Sequence, residues 1–251
     1  MKYREEITIS EKKLRNKTII SFIVFIVLLA AAVLVWKKIQ EEPKIAGRPK
    51  TFRKVLNANE SFFSNFLRDQ HLAKTYPVSA AAKRVRVNGN IGMSKDFDPS
   101  RWKLQVIRYP GDTLFLTMED IKALPKTEIV FDFKCIEGWS QITHWAGVKF
   151  SDFVKKYNLD AQTQMQYVAL ATPDKKYYVG IDMPSIMHPQ TLLCYEMNGE
   201  PLPMNQGFPL RLIIPVKYGI KHIKRIGTIS FSNVPPPDYW YERGYDYYAG
   251  L

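Results

Sequence analysis

Cysteine and histidine are scarce: the chain has two cysteines, Cys135 and Cys194, and four histidines. The cysteines stand 59 residues apart, and no Cys-x-x-Cys or Cys/His metal spacing occurs, which leaves no zinc-type motif. Without Cys-x-x-Cys-His there is also no covalently attached c-type haem. A disulfide between the pair would suit an oxidising compartment, yet nothing in the sequence requires one. His71, His144 and His188 offer no metal spacing, and internal repeats are absent. A basic stripe with interleaved aromatics is missing too. The formal charge is +12, but residues 1–54 hold 13 Lys/Arg against 5 Asp/Glu, leaving 23 against 19 for the rest. The excess belongs to the leader, where basic residues serve membrane topology, and nucleic-acid binding is not expected.

What is present describes a packed protein. The 251 residues are 46% hydrophobic and 13% aromatic, which excludes disorder and allows one large domain or two small ones. Thr18 to Trp36 carries no charge over 19 residues, about the length of a helix that spans a bilayer. Arg15 and Lys17 precede it, Lys37 and Lys38 follow it, and Trp36 sits where an interfacial aromatic belongs. Ala30-Ala31-Ala32 could mimic a signal-peptidase site, but the apolar run continues past it through Val33 to Trp36, which favours an uncleaved anchor. Lys12, Lys13, Arg15 and Lys17 outnumber the cations just beyond the span. That balance favours the N-terminus inside and the domain outside, whereas within fifteen residues on each side the cations are five against five and the cytoplasmic face stays open.

Past a charged, Pro- and Gly-containing tether, Asn59–Lys74 reads as a helix with Asn59 as a possible cap. From Lys83 onward short β-type runs dominate: VRVNGNIG, WKLQVIR, EIVFDFKC, QYVALAT, KYYVGID, LRLIIPV and GTISFSN. Two helical stretches interrupt them, TMEDIKAL, with Thr117 as N-cap and Asp120 at N3, and KFSDFVKKY. Strands outnumber helices without alternating with them, so α+β is expected.

Phe131 and Phe133 alternate with Asp132 and Lys134, placing Cys135 on the buried-side parity at a strand end before a Glu-Gly-Trp turn. On residues alone Cys135 is either a core thiol or a site. The cations Arg211, Lys217, Lys221, His222, Lys224 and Arg225 are either an anion cradle or a solvated edge. Four motifs bear on both choices: Cys-x-Glu-x-Trp-Ser from Cys135, Met-His-Pro from Met187, Gly-x-Pro-Leu-Arg from Gly207, and Pro-x-Lys-Tyr-Gly-x-Lys-x-x-Lys from Pro215. Together and in this order they resemble the molybdopterin-binding domain of the sulfite oxidase family. The likeness is to its haem-free bacterial branch, typified by the catalytic subunit of periplasmic protein-methionine-sulfoxide reductase, and covers about Lys83 to Asn233.

The resemblance implies a sulfite-oxidase-type fold of mixed sheets with few helices, and Mo-molybdopterin as cofactor. It implies Cys135 as the molybdenum ligand, a soft thiolate suited to that metal. Arg86, Asn88, Gly89, Asn90, Thr172, Gln206, Arg211, Lys217, His222, Ile223 and Lys224 are the implied cofactor contacts, with Gln206 standing where Asn or His is usual. Glu137 is either a proton relay or a salt-bridge partner for a pocket cation. Tyr177 falls near the family's active-site tyrosine, with Tyr178 competing for the place. Cys194 is read as a core thiol and His188 as structural. The implied layout is a basic segment 1–17, a transmembrane helix 18–36, a tether and short helix 37–76, a catalytic domain 77–234, and an aromatic tail 235–251 lying across the surface.

The implied activity is two-electron oxygen-atom transfer, reducing an S- or N-oxide that is either a small molecule or protein-bound. Sulfite oxidation, and a cofactor-free binding protein, are the alternatives. Electrons would pass through a separate cytochrome or membrane haem protein. The family's immunoglobulin-like dimerisation domain has no room in the 18 residues after Asn233, so a monomer is expected. A single-pass protein of the inner membrane with a periplasmic domain fits the branch, although SEKKLRNKTII lacks the Arg-Arg pair of twin-arginine export.

Overall fold

A computed structural model describes residues 10–66 and 71–251, in two units, Met1–Lys54 and Val55–Leu251. The first unit is built on a helix over Glu11–Gln40 with no buried residue, long and apolar enough to cross a membrane. It extends beyond the uncharged run because the flanking Glu, Lys, Leu and Gln residues are good helix formers. Glu11 in its first turn and Lys37 and Lys38 in its last complement the helix dipole. The segment expected to be a tether folds into a hairpin of β1 (Lys44–Ile45) and β2 (Arg48–Pro49). The buried Arg53 donates to the Ala46 carbonyl at 2.6 Å within the same unit.

The helix expected from Asn59 begins earlier, at Lys50, and runs to Phe66. The Glu42 carboxylate accepts from Thr51 N and Thr51 Oγ1 at 2.7 Å each, satisfying an N-terminal donor there and leaving Asn59 inside the helix. Residues 67–70 of the expected helix lie outside the described ones.

The second unit carries β3 (Leu104–Tyr109), β4 (Asp112–Leu116), β5 (Lys126–Lys134), β6 (Ser140–Lys149), β7 (Tyr167–Ala171), β8 (Tyr178–Asp182), β9 (Leu192–Met197), β10 (Glu200–Pro201), β11 (Arg211–Ile213) and β12 (Thr228–Ser232). One sheet has the order β10-β9-β6-β5 with β11 also paired to β9, and the other runs β4-β3-β12-β7-β8. Every pairing is antiparallel except β12 with β3. The few helices are short, including Met118–Lys122 and Phe150–Lys156, and the class is α+β. The Thr117/Asp120 capping box forms as the sequence predicts.

Val85–Gly92, read as a β-type run, makes no strand. Its glycines adopt φ +66° at Gly89 and +74° at Gly92, and the segment crosses the molecule as a loop. The long β6 escaped the sequence reading. Six consecutive positions, 143–148, are buried, on both faces, so its pattern never alternates cleanly. Gly147 marks where β6 and β9 draw together. A Cβ there would meet the Leu193 carbonyl at 2.1 Å, beside a register shift at Ala146/Gly147. Phe131, Trp145, Leu192, Cys194 and Ile213 pack under this sheet and hold the β5–β6 hairpin and β11 side by side.

Candidate functional site

β5 ends at Lys134 and the chain turns through residues 135–139 into β6. Cys135 N donates to Trp139 O at 2.9 Å, and Gly138 N donates to Cys135 O at 3.0 Å. Gly138 has φ +86°, a conformation open to glycine and costly for other residues. Gly138 is therefore there for the turn. Cys135 lies one residue beyond the strand, 5% exposed, on the wall of a cavity of about 300 Å³, at the lower end of sizes typical for ligand sites. Its sulfur accepts from Asn88 Nδ2 at 3.3 Å.

Glu137 is carried by the turn. It lies exposed on the cavity wall, and its Oε2 accepts from Trp139 Nε1 at 3.1 Å. The Arg86 guanidinium covers the Trp139 ring at 4.6 Å. A cation therefore sits at this rim against an aromatic face.

The loop with Arg86, Asn88, Gly89 and Asn90 forms another wall. Lys224 Nζ donates to the carbonyls of Asn88, Gly89 and Asn205, and Gln206 Nε2 donates to the Arg86 carbonyl at 3.3 Å. Farther along, Gly92 presses on Thr172, where a Cβ would meet Thr172 Cγ2 at 2.5 Å. The cavity's polar wall thus depends on a loop pinned at three places.

Arg211, at the start of β11, is 2% exposed and lines the same cavity. Its Nη1 donates to Gln206 O at 3.0 Å and Gln206 Oε1 at 2.9 Å, and its guanidinium lies 4.5 Å over the Trp145 ring. Its Nε has no partner, and among the described residues no carboxylate pairs with it. Burial pulls its pKa down to about 10. His222 Nδ1 faces the Ile214 N–H at 3.5 Å and Nε2 the Lys217 carbonyl at 3.1 Å, so the proton belongs on Nε2. Burial, then the Arg211 charge, drop its pKa to about 3 and keep it neutral. Burial and then Arg211 also bring Lys224 down to about 7.

The cavity takes Tyr177 and not Tyr178. Tyr177 donates its hydroxyl to the Ile220 carbonyl at 2.6 Å, and burial, then the Asp238 carboxylate, raise its pKa and keep it protonated. Tyr178 turns its hydroxyl to Glu242.

The expected contacts all line this one cavity except Thr172, Lys217 and Ile223. Thr172 is fully buried and ties its own turn, donating to Asp174 Oδ1 at 2.6 Å. Lys217 is 1% exposed and reaches Asp182 at 2.8 Å. Ile223 is a core residue. Trp145, Trp240 and Tyr245 line the cavity as well and were not foreseen. Trp145 lies ten residues past the cysteine, a signal that strand parity could have supplied. Trp240 and Tyr245 come from the tail expected merely to lie across the surface. Cys135 and Cys194 are both free, and burial pushes the Cys194 thiol up to about 12, as suits a core residue. Among the described residues no three His, Cys, Asp or Glu side chains gather as a metal site. A metal at Cys135 would have to bring further ligands with it.

The model of the oxidoreductase molybdopterin binding domain matches residues 90–240. YedZ1 of Azospira oryzae, provisionally named a protein-methionine-sulfoxide reductase subunit, is 34% identical over 71% of this chain and 68% of its own. The protein-methionine-sulfoxide reductase catalytic subunit MsrP of Campylobacter jejuni is 32% identical over 64% of this chain and 60% of its own. Among solved structures, the sulfane dehydrogenase SoxCD of Paracoccus pantotrophus has a similar fold, with a TM-score of 0.50 and 16% identity over 66% of this chain and 46% of that one. The chain thus spans only part of the length of these relatives. The family match runs through the Cys135 turn, β11 and the Lys224 segment, whose side chains converge on one cavity, and the chain belongs to the oxidoreductase molybdopterin binding domain family.

Proposed function

We propose that the chain is a membrane-anchored Mo-molybdopterin oxidoreductase that reduces an S-oxide of the methionine sulfoxide kind. One observation carries the cofactor assignment: a thiol and a buried guanidinium without a carboxylate partner face the same cavity. A buried cation without a counter-charge is costly, and Arg211 offers an unpartnered Nε besides. The donor set fits an anionic group that also presents a soft metal to a thiolate. When bound, that group supplies two-electron oxygen-atom transfer.

The chain's own residues hold and shape. Cys135 offers the thiolate ligand, oriented by the Asn88 amide. Arg211 and Lys224 face the anionic end, and Lys224 simultaneously closes the covering loop. Neutral His222 carries no competing charge. Glu137, on the rim and solvent-exposed, is placed to exchange protons between cavity and solvent. Phe133, Trp139 and Trp145 restrict water and strengthen the electrostatics of the wall.

The choice of a sulfoxide rests on the names of the two sequence relatives. Metal and pterin content of the purified chain, with methionine sulfoxide turnover driven by a reduced dye, tests the whole reading. Absent molybdenum and pterin, with no turnover, would overturn it. In the cell a separate haem protein would supply the electrons. The helix Glu11–Gln40 would hold the domain outside the inner membrane, and protease added to intact spheroplasts should remove it.

A further inference from the structure

The C-terminal segment is fixed at both ends. At one end Asp238, 2% exposed, accepts at Oδ2 from Lys221 Nζ and Gly180 N, and at Oδ1 from Trp240 N and Tyr241 N at 3.1 and 3.0 Å. Tyr239 N donates to Tyr178 O at 3.0 Å. At the other end Tyr218 N donates to Ala249 O at 2.9 Å, and Leu251 N to Val216 O at 3.0 Å. Between these anchors the chain loops over the cavity. Trp240 and Tyr245 line it together with Cys135, their rings 5.0 Å apart edge to face. Tyr239 braces this pair, 5.3 Å from both Trp240 and the cavity residue Tyr177. Rings held this way lose little freedom when a ligand arrives.

We infer that residues 235–251 complete the site, with Trp240 and Tyr245 forming an aromatic wall that selects S-oxides by the alkyl group on sulfur. The inference rests on the sulfoxide reading above. The alkyl groups on a sulfoxide sulfur pack favourably on ring faces, and an aromatic wall gives an inorganic oxyanion no comparable partner. A substrate with a longer alkyl arm covers more of the wall than one with two methyl groups, so the wall should discriminate by substituent.

The test uses the full-length, cofactor-loaded protein, with molybdenum content and melting temperature measured for every variant. Trp240→Leu should raise KM for methionine sulfoxide by about tenfold, the scale of about two methylenes taken out of contact. It should raise KM for dimethyl sulfoxide by only about twofold, because its two methyl groups cover less of the wall, with kcat per molybdenum kept. Trp240→Phe should restore methionine sulfoxide KM, and Tyr245→Leu should repeat the pattern if Trp240→Leu fails to fold. A parent that reduces neither sulfoxide sinks the functional reading and the wall with it. An active parent whose variants keep their KM values, or lose kcat equally on both substrates, overturns the wall alone.

Discussion

Within Arg211–Arg225 two pairs of cations meet opposite circumstances. Lys217 and Lys221, each 1% exposed, are paired with Asp182 and Asp238. Lys221 adds the Gly180 carbonyl, while Lys217 lies over the Tyr248 ring. Arg211 and Lys224, from the same segment, donate to carbonyls and an amide oxygen, with the Trp145 ring beneath Arg211, and face the cavity. By residue type the two groups are indistinguishable. Their counter-charges separate these two pairs: the protein supplies an anion to Lys217 and Lys221 and none to Arg211 and Lys224. Only the latter pair faces the cavity, whereas the buried Arg225 lies outside it with three carbonyls as partners. The scaffold pair also secures the tail that carries Trp240 and Tyr245.

The largest effect should come from the cavity side, without loss of fold. Cys135→Ser replaces a soft ligand by a hard, poorly ionised one. Turnover with an artificial donor should drop by at least about 100-fold, the upper end for groups that merely support a metal ligand. The melting temperature should stay near that of the parent. Parent-level turnover in this variant would remove Cys135 from the site.

The scaffold side should show the reverse. Lys221→Ala leaves Asp238 buried without its counter-charge and should cost about 3–5 kcal/mol, read by denaturant unfolding of the apo-protein. Replacing both partners, as in Lys221→Met with Asp238→Leu, should recover much of that loss, since an apolar pair carries no desolvation cost. A Lys221→Ala variant as stable as the parent would mean that the tail is held by its backbone bonds alone.

Arg211→Met tests the comparison at its centre. Removing a buried, uncompensated cation should leave the apo-protein unchanged or more stable, by up to about 1–4 kcal/mol. The same variant should retain less pterin, because a charge-assisted contact is gone. A destabilised apo-protein with normal pterin content would place Arg211 among the scaffold cations.

Much of this was legible in the sequence because turns and motifs are local. The Thr117 cap, the Gly138 turn and the cysteine before it follow from residues a few positions apart. The partition of the cations was not legible, because Asp182 and Asp238 approach the basic segment only through β8 and the tail. β6 was hidden by its burial on both faces. The aromatic tail gave composition without direction. The Asp238 anchor and the Tyr239–Tyr178 backbone bond, both formed across the fold, set Trp240 against the cavity.

The smallest effect is a slope with pH, and it separates the two lysine environments. Burial, then Arg211, hold Lys224 down at about 7, while Lys217 sits at about 8 through burial offset by Asp182. Unfolded lysine titrates near 10.4. Between these values the unfolded chain binds protons that the native apo-protein lacks, so apo stability should rise with pH from about 7 toward 10. An anionic group bound in the cavity reverses the balance at Lys224 by favouring its ammonium form. Binding then takes up a proton above pH 7, and pterin retention should fall by up to about tenfold per pH unit as the pH rises through 8. A phosphate already carries its second charge in that range, so the slope belongs to the protein. Lys224→Arg, charged throughout, should flatten it, whereas Lys217→Met should leave it intact because Lys217 answers to Asp182 outside the cavity. Pterin dissociation followed by fluorescence from pH 6.5 to 9 gives the slopes. An unaltered slope in Lys224→Arg, or a lost one in Lys217→Met, would show that the division between ligand-facing and scaffold cations has been drawn in the wrong place.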